Sequence, residues 1–121
     1  MGMTAPHLLM GRKGERRACR FLMKRGFDIL ARRYRTRLGE IDLIALEGSV
    51  LAFVEVKTRA SRAFGDPWEF VDWEKQQRLR LAAEEFLARH DLSQYAYRFD
   101  IVSVIAPGAR DQEIRLYRNA F

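Results

Sequence analysis

Asp42 and Glu55 are ionisable residues set among apolar ones, between Ile41 and Leu43 and between Val54 and Val56 respectively. Lys57 follows Glu55 by two positions, and Gly48-Ser49 lies midway between the two acids. A two-residue hairpin loop at Gly48-Ser49 pairs Glu47 with Val50, and every facing pair then sums to 97 in residue number. Asp42 then faces Glu55, and Glu40 faces Lys57. A one-residue slip would put the two acids on opposite sides of the sheet. With side chains alternating, one face carries Glu40, Asp42, Ile44 and Leu46 beside Leu51, Phe53, Glu55 and Lys57, apolar near the turn and ionised at the far end.

Facing carboxylates with Cβ atoms about 5 Å apart repel unless positive charge lies between them. Oxygen donors of this kind suit Mg²⁺ or Mn²⁺, which take one or two carboxylates together with water and phosphate oxygens. Lys57 on the same face could orient a water or offset charge developing on a phosphate, an arrangement suited to phosphodiester hydrolysis. Glu40 opposite Lys57 is equally well an ordinary surface ion pair. The two acids in an apolar strand context are harder to explain without a cation.

The elements that must position these residues follow from periodicity. Arg12–Arg25 places Ala18, Cys19, Phe21 and Leu22 at helical spacing, with Gly26 at the left-handed C-cap position. Three extended runs follow, Phe27–Arg35, Glu40–Leu46 and Val50–Arg59. After a loop at Ala60–Gly65, Asp66-Pro67-Trp68-Glu69 reads as a capping box opening a short helical turn. The main helix is expected from about Asp72 to Arg89, with Leu79, Ala82, Ala83, Phe86 and Leu87 on its buried stripe. Tyr95–Ile105 alternates as a strand, and Glu113–Tyr117 adds an edge strand after the break at Pro107-Gly108. The fold class is therefore α/β of the α+β kind, ordered αβββαβ, with a mixed sheet flanked by helices.

On this framework Glu15 lies one turn from Ala18 and Cys19 and two from Leu22. It is either a carboxylate turned inward or an edge-of-stripe acid paired within a basic helix. Lys75, one turn before Leu79, either contacts phosphate or extends its ammonium to solvent. Arg98 and Asp100 share a strand face, as an ion pair holding strand to helix would. Arginines cluster at three places: Arg12, Arg16 and Arg20 with Lys13 and Arg17; Arg32, Arg33, Arg35 and Arg37; and Arg59 and Arg62. Arg35, Arg37, Arg59 and Arg62 flank the acids and are the expected nucleic-acid contacts, holding a phosphate backbone by charge. Tyr34 and Trp68 are candidates for stacking on bases, although at least one suits the core. His7 and His90 fit neither ligand nor base.

Gly39-Glu40-Ile41-Asp42-Leu43-Ile44, followed by Phe53-Val54-Glu55-Val56-Lys57-Thr58-Arg59, resembles the YraN-like family of bacterial proteins, within the restriction-endonuclease-like superfamily. Gly14-Glu15, Ala18, Gly26, Phe64-Gly65, Lys75 with Leu79, and Arg98-Phe99-Asp100 extend the likeness over nearly the whole chain. The resemblance implies a restriction-endonuclease-like αβββαβ core, a PD-(D/E)xK-type site and kinship with archaeal Holliday junction resolvases. It implies that Asp42 and Glu55 are metal ligands, Lys57 the catalytic lysine, and Glu15 the helix-borne acid that completes the site. The chain departs from the pattern at Ile41, which this family tolerates, and at Arg33, where asparagine is expected.

The whole chain is consistent with these expectations. With 121 residues, 48% of them hydrophobic, residues 10–121 read as a single domain preceded by a weakly ordered stretch at 1–9. Twenty-two Lys and Arg against 16 Asp and Glu give a net charge of +6, which favours a polyanionic partner. The lone Cys19 excludes an intrachain disulfide and a Cys-based zinc site. No apolar run reaches the ~18 residues of a membrane span, so a cytoplasmic protein with no membrane partner is expected. The leading expectation is a Mg²⁺- or Mn²⁺-dependent nuclease hydrolysing phosphodiester bonds in DNA, branched or single-stranded. The competing one is a nucleic-acid-binding protein whose acid cluster is degenerate. Cutting both strands of a symmetric junction would favour a homodimer.

Overall fold

The computed structural model describes residues 6–64 and 71–121. Its elements are α1 (Pro6–Lys24), β1 (Asp28–Thr36), β2 (Gly39–Glu47), β3 (Val50–Arg59), a 3-10 turn (Arg62–Phe64), α2 (Trp73–Arg89), β4 (Ala96–Ile105) and β5 (Glu113–Tyr117). The five strands form one sheet in the order β1-β2-β3-β4-β5. Only β3 and β4 pair in parallel, with α2 forming the crossover between them; the other neighbours are antiparallel. The expected α+β order with a mixed sheet and flanking helices is what the chain adopts. The proposed capping tetrad Asp66–Glu69, with Trp68, lies outside the described residues, as does Gly65. Pro6–Leu9, set apart as weakly ordered on sequence, belong to α1, which starts well before Arg12.

The two faces of the sheet bury separate cores. Ala18, Cys19 and Leu22 of α1 pack on Leu43, Ala45, Ala52, Val54 and Val102. Leu79, Ala82, Ala83, Phe86 and Leu87 of α2 pack on Ile44, Leu51, Phe53, Phe99 and Ile101 on the other face. Both helices stop where the sequence can turn. Gly26 has φ +90° and the Phe27 N–H reaches back to the Leu22 carbonyl at 3.0 Å. Asp91 has φ +54° and the Leu92 N–H reaches the Leu87 carbonyl at 2.8 Å, the same left-handed closure.

Two contacts set the positions from which the helices deliver side chains. Asp72 caps α2 by accepting the Lys75 N–H at 2.8 Å, which fixes the first turn and the root of Lys75. Gly14 lies so close to β3 that a Cβ there would stand 1.9 Å from the Thr58 hydroxyl oxygen. Only glycine lets α1 approach the sheet at this point, and the next residue is Glu15.

Candidate active site

The β2–β3 pairs run Glu47–Val50, Leu46–Leu51, Ala45–Ala52, Ile44–Phe53 and Leu43–Val54, so the sum-of-97 register holds along the hairpin. Alternation makes Ile41–Val56 the next hydrogen-bonded pair. There the Val56 N–H donates instead to Oδ2 of Asp42, at 2.8 Å. Face alternation breaks at the same level. Leu43 and Ala45 belong to the α1-side core and Ile44 to the α2-side core, yet Ile41 also lies on the α2 side. Across the sheet, β1 pairs Arg32 with Leu43 and Tyr34 with Ile41, and Arg33 between them adopts φ +49°. Asp42 therefore sits at an irregularity shared by two strands, which turns its carboxyl out of the regular pleat.

Burial and the facing Glu55 push the Asp42 carboxyl up to about 8 from its ordinary 3.8, against the Val56 N–H that favours the charged form. Glu15, reaching the same level from α1, adds a smaller push in the same direction. Glu55 is only 6% exposed, and one of its oxygens, Oε1, receives two ammonium groups: Lys75 Nζ at 2.8 Å and Lys57 Nζ at 3.6 Å. Burial pulls the Lys57 ammonium below its ordinary value, and the neighbouring Lys75 adds to this. Burial works against the Lys75 charge too, but the contact with Glu55 outweighs it and leaves Lys75 raised. The four side chains form one electrostatic unit. It opens onto a cleft of about 300 Å³ lined by Glu40, Asp42, Glu55, Lys75, Arg78 and Leu79.

The structure thus brings Asp42, Glu55, Lys57 and Lys75 together, with Glu15 close enough to act on Asp42. Glu15 itself accepts a hydrogen bond from Arg33 Nε at 2.8 Å, a partner the periodicity of α1 did not indicate. Glu40, expected opposite Lys57, is instead bound across the β1–β2 pair by Arg35 Nε at 3.0 Å. Of the arginines expected on nucleic acid, Arg35 is held by Glu40, Arg59 donates to Ser103 Oγ at 3.3 Å, and Arg62 is paired with Glu113. Arg37 is exposed beside the β1–β2 turn. Tyr34 is core: its ring meets Phe86 edge-on at 5.2 Å, which removes it as a stacking platform. Arg98 and Asp100 pair as expected but clasp different elements. Buried Asp100 takes Arg98 and the Asn119 N–H, and Glu47 at the end of β2 takes Arg98 and Arg118. Arg78 escaped notice on sequence, although its place three residues after Lys75 puts it on the same helix face.

Among the described residues, no three His, Cys, Asp or Glu side chains converge as a ligand set. Two carboxylates are nevertheless a normal protein contribution to Mg²⁺, and the repulsion from Glu55, which adds to burial in keeping Asp42 protonated, is what a divalent cation would relieve. The donor chemistry fits such an ion.

A family model described as uncharacterised protein family UPF0102 matches residues 14–104, three-quarters of the chain. The chain belongs to this family. UPF0102 proteins similar to it include one from Alkaliphilus metalliredigens, 46% identical over 112 residues that cover 93% of this chain and 96% of the relative. One from Solibacter usitatus is 50% identical over 113 residues, 92% and 84% of the two chains. One from Rhodococcus opacus is 42% identical over 117 residues, 97% and 99%. The UPF0102 match spans Gly14, Glu15, the whole β2–β3 hairpin and Lys75, so every side chain of the cleft's ionised cluster falls within it.

Proposed function

We propose that the chain is a metal-dependent phosphodiesterase of the PD-(D/E)xK type acting on nucleic acid, DNA in the first place, in the cytoplasm. The observation that carries this reading is the Asp42–Glu55 juxtaposition, with Lys57 beside it on the same strand face and burial suppressing ionisation of Asp42. Asp42 and Glu55 would hold Mg²⁺ or Mn²⁺, and the ion would supply Lewis-acid activation of water and of a phosphoryl oxygen. Lys57, half-buried and with its ammonium pKa lowered by burial, is placed to orient water or to offset charge developing on a phosphate. Glu15 adds negative charge from the opposite helix, and the chain's +6 charge suits a polyanionic substrate. No helix of the described residues is long and apolar enough to cross a membrane.

One observation favours a second reading, that of a nucleic-acid-binding protein with a degenerate nuclease site. Lys75 already holds Glu55 at 2.8 Å, and a protonated Asp42 needs no cation, so the acids can be satisfied within the fold. Cleavage of a labelled panel of duplex, single strand, flap, four-way junction and RNA in Mg²⁺ or Mn²⁺ separates the two. Cutting that both Asp42→Ala and Glu55→Ala abolish supports the nuclease. Binding without cutting, insensitive to either substitution, supports the binding protein.

A further inference from the structure

We propose that the groove between α1 and β1, on the sheet face opposite the Lys75 cleft, is a second phosphate-binding surface that holds the sugar-phosphate backbone of a nucleic-acid strand passing the Asp42 site. This rests on the nucleic-acid reading above and adds the path of the strand. The groove encloses about 430 Å³ and is lined by Arg12, Glu15, Arg16, Arg32, Arg33 and Leu43. Four guanidinium groups against one carboxylate leave it strongly cationic, and buried Leu43 supplies an apolar wall.

The side-chain commitments distinguish this surface from the arginines flanking the acids. Arg35, Arg59 and Arg62 are engaged by Glu40, Ser103 and Glu113. In the groove, Arg33 is the member bound by Glu15. Arg12, Arg16 and Arg32 are exposed, and no hydrogen bond or ion pair to a described side chain occupies them. Clustered guanidinium groups without counter-charges repel one another, and a polyanion removes that cost while releasing its own counterions. Planar guanidinium forks match phosphate oxygens, so the chemistry selected is a phosphodiester backbone.

The geometry is preset. Arg12 and Arg16 are one turn apart on α1, about 6 Å along its axis, and face Arg32 across the groove. Their helix is seated by buried Ala18 and Cys19 and by the Gly14–Thr58 approach. Leu43 is the chain neighbour of Asp42, and Glu15 both borders the groove and acts electrostatically on Asp42. A strand in the groove therefore lies level with Asp42 along β2, across the sheet from the cleft onto which the acids open, with Glu15 holding Arg33 in place.

The test is fluorescence anisotropy of the full chain with a labelled single-stranded oligonucleotide and its duplex over a salt series. The proteins are wild type, Arg12→Gln/Arg16→Gln, the charge-retaining Arg12→Lys/Arg16→Lys, and Arg35→Gln/Arg37→Gln. The Gln pair should weaken binding at least about tenfold. It should flatten the log–log salt slope by about 1.8 on duplex and about 1.4 on single strand, while the Lys pair keeps the wild-type slope. Wild-type binding with an unchanged slope in the Arg12/Arg16 Gln pair, but a flattened one in the Arg35/Arg37 pair, overturns the groove and leaves the nucleic-acid reading standing. Absence of wild-type binding to either oligonucleotide overturns both. These are exposed helix positions, and unchanged melting of the Gln pair shows that binding, not folding, has been altered.

Discussion

The Asp42 carboxyl accepts the Val56 N–H, so a side chain stands where the β2–β3 ladder would otherwise place a main-chain carbonyl. The carboxyl is thereby tied to the strand that carries Glu55 and Lys57, and the distance between the acids follows the backbone. Like charges are held together by main-chain geometry, which is why burial and Glu55 keep Asp42 protonated near neutral pH.

That protonation predicts a pH dependence of stability. The folded chain holds the Asp42 proton more tightly than the unfolded chain, so its contribution is complete below about pH 4 and is lost as the pH rises through about 8. Wild type should therefore lose stability across this window, by on the order of a few kcal/mol. Asp42→Asn, which cannot ionise, should show a flatter profile in urea midpoints measured from pH 4 to 8.5. Mg²⁺ should restore wild type at the alkaline end and leave Asp42→Asn unmoved.

Removing Lys75 should expose the repulsion it offsets. Lys75→Met leaves buried Glu55 with Lys57 at 3.6 Å as its remaining ammonium and should cost about 1–3 kcal/mol without metal. The thermal shift on adding Mg²⁺ should exceed that of wild type, because the ion no longer competes with an internal cation at Oε1. Equal shifts in the two proteins would mean that Lys75 and the ion do not share Glu55.

Gly14→Ala should be costly. Its Cβ would lie 1.9 Å from Thr58 Oγ1 and 2.7 Å from Thr58 Cγ2, so α1 must move away from β3. A loss of about 1–3 kcal/mol is expected, with Thr58→Ala recovering part of it in a double-mutant cycle. The displacement also carries Glu15 away from Asp42, so the acid shift of Asp42, followed by carboxyl NMR titration, should shrink.

Arg33 occupies a left-handed conformation that asparagine tolerates better than arginine does. Arg33→Asn relieves backbone strain and gives up a surface pair with Glu15 worth about 0–1 kcal/mol. Its urea midpoint should equal or exceed that of wild type. Arg33→Val, β-branched at the same backbone angles, should be clearly lower.

At the other end of the sheet, Asp100→Ala should cost about 1–3 kcal/mol, because it leaves Arg98 with Glu47 alone and frees the Asn119 N–H. Faster hydrogen exchange at Asn119 and Ala120 would localise the damage to the C-terminal clasp.

Much of this arrangement was legible in the sequence. The hairpin register followed from Gly48-Ser49 and strict alternation, and Gly26 marked the end of α1 through its left-handed backbone. The inward stripe of α2 pointed to Lys75, though toward phosphate, whereas its ammonium is on Glu55. Three features lay beyond periodicity. The break in alternation at Ile41–Asp42 depends on a side chain capturing a distant N–H, which no local pattern encodes. The Arg33–Glu15 pair joins elements 18 residues apart, and its only trace was an arginine where asparagine was expected. The flanking arginines look alike as a charge run, but their acidic partners Glu40 and Glu113 come from different strands, so their commitments appear only in three dimensions.

The different pairings of β3 also bear on the order in which the chain folds. Asp42 meets Val56 across 14 residues closed by a tight turn, so the hairpin can form early and locally. Lys75 reaches Glu55 across 20 residues, from a helix that must cross the sheet before β4 can dock in parallel. The acids are thus brought together with Lys57 of the same hairpin before the closer ammonium of Lys75 arrives, and the growing nucleus passes through a stage at which its own charges are less well balanced. Refolding at mildly acidic pH, where Asp42 takes up a proton as it becomes buried, should be faster than refolding above pH 8, a kinetic trace of the site left in the assembly of the fold.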